Sequence, residues 1–291
     1  MKRLSFSCVI ALSLTLSVAL VVPPKTVASL GEQERKSEWI SLFDGKTLKG
    51  WDTWLGYPRT KGQKQRLPLV GLNKDPKKVY TVVQFEGKPA IRISGEIFGA
   101  LTSKKEFGNY HLKLQFKWGK KKWFPRENAR RDSGLLYHCV GKHNGRGGSN
   151  WLESHECQIQ EHDCGDYWGV GAAIVTVEGI KKGNTVYYKK GGMKFRAPSK
   201  GVSRHIVKDG DYEKFDGSWN TIEVFAVDDK AIHIVNGKVV MRLSGLSRRD
   251  NGKVVPLIKG KLQIQSEGAE VYYREMMIRL VDQIPKKLWE E

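Results

Sequence analysis

The chain has 291 residues, with 50 Lys plus Arg against 31 Asp plus Glu, a formal net charge of +19. Hydrophobic residues make up 40% and aromatic residues 10%, enough to form a core, which excludes a disordered tail protein; the 31 glycines lack a collagen period and the 4 cysteines are too few for a disulfide-dense mini-domain. The length fits two average domains or one large β-sandwich, since sandwiches reach about 200–250 residues.

In chain order, Lys2 and Arg3 precede an uncharged run over residues 4–22 that is rich in Leu and Val. Pro23 and Pro24 break the run, and the small pair Ala28-Ser29 offers a cleavage site. Residues 1–28 therefore read as a secretory signal peptide rather than a membrane anchor, and no stable membrane insertion is expected after cleavage. A secreted or periplasmic protein would retain Cys139, Cys157 and Cys164, an odd set that allows at most one internal bridge; buried free thiols are the preferred expectation.

Short strand patterns begin at residues 78–84 and 90–94. At 110–118, Tyr110, Leu112, Leu114, Phe116 and Trp118 alternate with His111, Lys113, Gln115 and Lys117, the period of a half-buried strand. Further strands are expected over 134–139, 156–161, 172–178, 185–190, 221–227, 262–266 and 271–280. Ile232 and Ile234 lead into Asn236-Gly237, after which Val239, Met241 and Leu243 resume the alternation, a strong hairpin signal. Long loops are expected over 55–77, 119–131 and 140–154. There is no internal repeat, no Pro- or Ser-rich linker and no amphipathic helix beyond two turns, so one all-β sandwich or barrel over residues 37–284 is the economical reading.

Within the 119–131 loop, Lys120, Lys121, Lys122, Arg126, Arg130 and Arg131 surround Trp123 and Phe124. Such a mixture can grip nucleic acid, but no nucleic-acid-binding signature accompanies it, and an acidic polysaccharide or an anionic surface is the expected partner instead. Asp132, Gly134, Leu136 and His138 then share one side of a strand pattern, with His138 a candidate proton carrier or metal ligand.

The densest chemistry runs from Trp151 to Trp168. Glu156, Gln158 and Gln160 share one strand face, and Cys157, Ile159 and Glu161 share the other. A carboxylate beside two amides suits a sugar, whose hydroxyls need both donors and acceptors. A solvent-facing polar strand would have the same alternation. His155, His162, Asp163, Asp166 and Trp168 flank it, and His138, Glu156, His155, His162 and Asp163 could hold a divalent metal, although no spacing identifies one.

Taken together, these blocks resemble the bacterial 3-keto-disaccharide hydrolase domain family. The resemblance rests on Leu42-Phe43-Asp44-Gly45-Lys46-Thr47-Leu48 with Gly50-Trp51, on Asp132-Ser133-Gly134-Leu135, on Glu156-Cys157-Gln158-Ile159 with Glu161 following, on Trp219-Asn220-Thr221 with Asn236-Gly237, and on Leu262 to Gly268 followed by Val271 and Arg274. His138 stands where many members have Arg, Glu267 where many have His, and Glu275-Met276 where Asn-Ile is usual. The resemblance implies a concanavalin A-like jelly roll, two stacked antiparallel sheets, and action on glycosides oxidised to a ketone at sugar carbon 3.

A retaining glycosidase needs two carboxyls about 5–5.5 Å apart. Related laminarinase-like enzymes carry Glu-x-Asp-x-Glu on one strand. Here the face reads Glu156-x-Gln158-x-Gln160, and an amide is neither nucleophile nor acid, unless a bulge turns Glu161 inward. A 3-keto glycoside offers another route: a base removes the acidified hydrogen at carbon 2, and the enolate expels the aglycone from carbon 1. Glu156 is the expected base or acid, with Glu161, His138 and His162 competing for the second role. Gln158, Gln160, Gln265 and Asp132 would position hydroxyls, Trp51 or Trp168 would stack on a ring, and Arg274 is a further binding candidate. A non-catalytic glycan-binding module and a conventional glycosidase with carboxylates from separate strands are the alternatives.

Overall fold

A computed structural model describes residues 38–145 and 150–290, and the signal-peptide expectation falls outside them. The described residues lie within the compact unit Arg35–Glu291.

The alternation at 110–118 marks the strand Tyr110–Lys122. Tyr110, Leu112, Leu114 and Phe116 are buried, and Lys113, Gln115 and Lys117 point the other way, half-exposed. This strand is the middle of one antiparallel layer. It pairs with Ala269–Leu280 on one side and Asn220–Val227 on the other. Beyond Ala269–Leu280 lie Lys88–Ile93 and Tyr80–Phe85; beyond Asn220–Val227 come Lys230–Val235, Lys238–Asp250 and Ala173–Lys182. The Asn236-Gly237 turn joins its two strands as expected, with φ of 48° and 79°, values that Asn and Gly adopt with little strain.

The second layer runs Trp51–Leu55, Gly99–Ser103, Lys261–Ser266, Asp132–Val140, Glu153–Gln160, Tyr167–Val170 and His205–Val207, each strand hydrogen-bonded to the next. At one edge Thr185–Tyr188 pairs with both Ala173–Lys182 and His205–Val207, so hydrogen bonding continues from layer to layer. The fold is an all-β jelly-roll sandwich. Its core joins Leu135, Cys157, Ile159, Tyr167 and Ile264 of the second layer to Leu112, Phe116, Val224, Leu243 and Val271 of the first. Two polar pairs bridge the layers within this core: Ser133 Oγ lies 2.7 Å from Tyr273 Oη, and Tyr137 Oη 3.0 Å from His233 Nε2.

Cys139, Cys157 and Cys164 are free and buried. Among the described residues no helix is long and apolar enough to cross a membrane; Lys286–Glu290 forms a short terminal helix. The expected loop over 55–77 carries only the two-residue strand Gly71–Leu72.

Candidate functional site

The core-facing residues of Asp132–Val140 and Glu153–Gln160 are Ser133, Leu135 and Tyr137, and Cys157 and Ile159. Period two sends Asp132, Gly134 and Leu136, and Glu156, Gln158 and Gln160, to the outer face. Register sets Asp132 opposite Gln160, Gly134 opposite Gln158, and Leu136 opposite Glu156. Trp168 lies opposite Glu156 on the other side. Next to Asp132–Val140, the strand Lys261–Ser266 brings Gln265 onto this face. These side chains line a pocket of about 440 Å³ together with Arg126, Trp151, Val170, Arg204 and Glu267. That volume is within the common range for small-molecule sites.

Gly134 is the low point of the face. A Cβ there would sit 2.2 Å from Glu156 Oε1 and 2.5 Å from Gln265 Oε1, so the bare glycine lets the carboxyl and the amide meet above it. Gln265 Oε1 is buried with no hydrogen-bond partner in the protein. Asp132 Oδ2 accepts a hydrogen bond from Gln160 Nε2 at 2.5 Å and forms an ion pair with Arg126 at 2.6 Å. Its other oxygen, Oδ1, is buried and unpartnered. Glu267 approaches the same Arg126 guanidinium at 3.9 Å. The loop that supplies Arg126 is fastened over the sheet end by Trp123, whose backbone N–H donates to Gly268 O and whose indole N–H donates to Ser94 O.

Burial raises all three carboxyls. Asp132 is pushed up to about 7, with Arg126 and Gln160 holding it back, and Glu156 is pushed up to about 8, with the Asp132 charge adding to burial. Glu267 is also raised, by burial first and then by Asp132 and Glu156. At the rim, Arg204 lies 5.2 Å from the Trp168 ring centroid, and Trp168 stacks on His205 at 4.3 Å. The site thus holds two carboxyls that titrate near neutrality, acceptors in need of donors, and an aromatic surface.

Asp132, Glu156, Gln158, Gln160, Gln265 and Trp168 are brought together as the sequence suggested, and five other expected site residues lie elsewhere. His138 leaves the outer face because a bulge interrupts its strand between Tyr137 and Val140. Its φ of 53° turns the ring into the core beside Tyr110 and Tyr137, where Nδ1 lies 3.1 Å from Leu257 O. Glu161 follows the strand end, where the chain turns back, and pairs with Arg131. His162 is exposed, stacked on Phe215 and 3.2 Å from Asp211. Trp51 is buried in the core, with its indole N–H donating to Leu42 O at 2.7 Å. Arg274 stands on the other layer, bonded to Gln115 and 3.8 Å above the Trp219 ring centroid.

The five side chains suggested for a metal do not converge, and among the described residues no group of three or more His, Cys, Asp or Glu is placed to hold one. Six pocket residues were not anticipated as site residues: Arg126, Trp151, Val170, Gly171, Arg204 and Glu267. Glu267 could have been found by its spacing of two from Gln265, and Arg126 by its place in the basic loop. Trp151 and Arg204 carry no periodic signal.

The profile of the 3-keto-alpha-glucoside-1,2-lyase-like domain matches residues 38–279. Among solved structures, a Parabacteroides distasonis protein whose glycosyl hydrolase assignment is provisional is 17% identical, with a TM-score of 0.48 over 84% of this chain and 94% of its own. A second such protein from the same organism is 19% identical, with a TM-score of 0.43 over 72% of this chain and 93% of its own. The carbohydrate-binding module CBM66 from Bacillus subtilis is 8% identical, with a TM-score of 0.40 over 69% and 91%. No curated protein matches the chain.

Proposed function

The chain belongs to the 3-keto-alpha-glucoside-1,2-lyase-like domain family, and from that premise we propose that it is an exported enzyme that cleaves 3-keto glycosides by elimination across sugar carbons 1 and 2. One observation carries the reading: Asp132 and Glu156, buried carboxyls raised to about 7 and about 8, line the same pocket. Two carboxyls with staggered pKa values divide naturally into a base and an acid near pH 7.

In this reading Asp132 is the base. Its unpartnered Oδ1 takes the proton from carbon 2 while Arg126 and Gln160 hold Oδ2. The C–H electron pair becomes the enolate double bond between carbons 2 and 3, with charge on the carbon-3 oxygen. Arg204 is the nearby cation that stabilises this charge. The enolate then collapses, restoring the ketone, forming the carbon 1–2 double bond and breaking the bond to the aglycone oxygen. Glu156, protonated at neutral pH, gives its proton to that oxygen. Gln158 and Gln265 hold hydroxyls, and Trp168 offers a face for the ring. Water can add to the enone afterwards and give net hydrolysis.

The test uses 3-keto glucosides with leaving groups of different acidity. Asp132→Asn is expected to lose at least about a hundredfold in kcat with every aglycone and to lose exchange of the carbon-2 hydrogen with deuterated solvent. Glu156→Gln should keep that exchange, lose rate strongly with an alkyl aglycone, and lose little with a nitrophenyl aglycone, which leaves without a proton. Binding of 3-keto glucoside with no turnover would instead make the protein a glycan-binding module. Turnover of the unoxidised glucoside would make it a conventional glycosidase.

A further inference from the structure

Residues 179–208 contain nine Lys and Arg and no Asp or Glu. Most of this stretch folds as an arm at the edge of the sandwich, where Ala173–Lys182 pairs with Thr185–Tyr188 at one end and with Met193–Ala197 further along. Register sets Ile180 opposite Tyr187 and Gly179 opposite Met193. The apolar side chains here are not covered: Met193 is 73% exposed, Ile180 46% and Tyr187 40%. Ile180, Met193 and Phe195 line a groove of about 630 Å³ with Lys181 and Lys189, and the other lining residues are Gly179 and the turn glycines Gly191 and Gly192. Lys182 Nζ lies 5.2 Å from the Tyr187 ring centroid. The adjacent acid, Glu178, accepts the Gly191 N–H at 2.8 Å. The ion pairs of the stretch, His205–Asp166 and Lys208–Asp166, lie at its far end and leave the arm's lysines to solvent.

Cations ringed around exposed aliphatic groups fit one kind of surface. A hydrated polyanion answers the lysines but gives Met193 nothing to bury against. An anionic bilayer answers both, with headgroups for the lysines and the acyl boundary for Met193. We propose that this arm docks the protein on an anionic lipid surface, with Met193 entering the interface from the face it shares with Lys181, and Lys181, Lys189 and Lys190 meeting the headgroup phosphates. The arm continues through Arg204, on the rim of the pocket, into His205–Val207, so docking holds the pocket beside the lipid surface.

The experiment is cosedimentation of the full chain with phosphatidylcholine vesicles prepared with and without phosphatidylglycerol. Residues 4–22 are themselves apolar, so the readout is the difference between wild type and variants of the same length. The triple variant Lys181→Gln, Lys189→Gln, Lys190→Gln is expected to weaken phosphatidylglycerol-dependent binding about a hundredfold, at about fivefold per lysine. Met193→Ser should weaken it about fivefold to tenfold. Both variants should keep wild-type melting and wild-type occupancy of the pocket, because none of these residues lines it. Binding that ignores phosphatidylglycerol, a triple variant that binds as wild type does, or a Met193→Ser variant with undiminished binding would each overturn the proposal. Retention of the protein on alginate without binding to phosphatidylglycerol vesicles would assign the arm to an acidic polysaccharide instead.

Discussion

Glu156 is kept out of water by the sheet it stands on, and its stability effect has a definite sign. Its carboxyl is raised from an ordinary 4.5 to about 8 by burial and by Asp132. Between those values the folded chain holds a proton that the unfolded chain has released, so stability falls as pH rises through that window. Glu156→Gln removes the penalty, since an amide never ionises. Thermal melts from pH 4 to 9 are expected to show no advantage for the variant near pH 4 and an advantage of several degrees at pH 8 and above, on the order of a few kcal/mol. A variant that melts below wild type at high pH would mean that Glu156 is ionised and well paired in the fold, and the acid role assigned to it would fail. A proton donor that is costly to ionise is a familiar compromise at catalytic sites.

At the scale of the strand, Gly134 is what allows that carboxyl to meet Gln265. Gly134→Ala would place a methyl 2.2 Å from Glu156 Oε1 and 2.5 Å from Gln265 Oε1, and both side chains would have to swing away. The fold should survive, because this face of the sheet borders the pocket and not the core. Turnover of 3-keto glucoside is expected to fall about a hundredfold, as misplacement by about an ångström does; unchanged turnover with unchanged circular dichroism would show that the Glu156–Gln265 approach is dispensable. Period two made part of the site legible in the sequence: Glu156, Gln158 and Gln160 share one face of their strand and Asp132 and Gly134 one side of theirs, whereas the pairing that sets these strands and Gln265 side by side comes only with the fold. Period two failed at His138, because a bulge adds a residue to the count and leaves no mark in the alternation. Alternation had already set Glu161 on the opposite face, and the bulge that would turn it inward is absent because the strand ends at Gln160. Strands with clean patterns, such as 110–118 and the Asn236-Gly237 hairpin, were legible for the same reason. Short strands such as Gly99–Ser103, buried along its whole length, and His205–Val207 were missed because three to five residues carry too little pattern. Arg126 and Arg204 reach the pocket from outside its strands, and only the folded chain brings them there.

For the whole molecule, buried histidines oppose the buried carboxyls. His138 and His233 are lowered to about 4 by burial between the layers, and His155 is lowered too. Unfolded histidines begin to take protons below about 6.5, which these cannot do in the fold, so their contribution is present above 6.5 and is lost as pH falls toward 4. Asp132 and Glu156 act in the opposite direction over a window that extends to about 8, and Glu267, raised by burial, acts in the same direction. From about pH 4.5 to 6.5 the two sets offset each other, and above 6.5 the carboxyls act alone. Wild-type stability is therefore expected to be nearly level across the lower window and to decline from about pH 6.5 to 8.5. The double variant Asp132→Asn, Glu156→Gln should lose the part of that decline that Asp132 and Glu156 cause, leaving only that of Glu267, and show the acid limb of the histidines, with stability rising more steeply up to about pH 6.5 than in wild type. Denaturant unfolding across pH separates the cases, and a double variant with the same profile as wild type would mean that Asp132 and Glu156 do not titrate in this range. Elimination asks for Asp132 ionised and Glu156 protonated, so kcat/KM should peak between about pH 7 and 8. That optimum lies on the declining side of the stability curve, because the protonation state that serves the chemistry is one the fold holds at a cost.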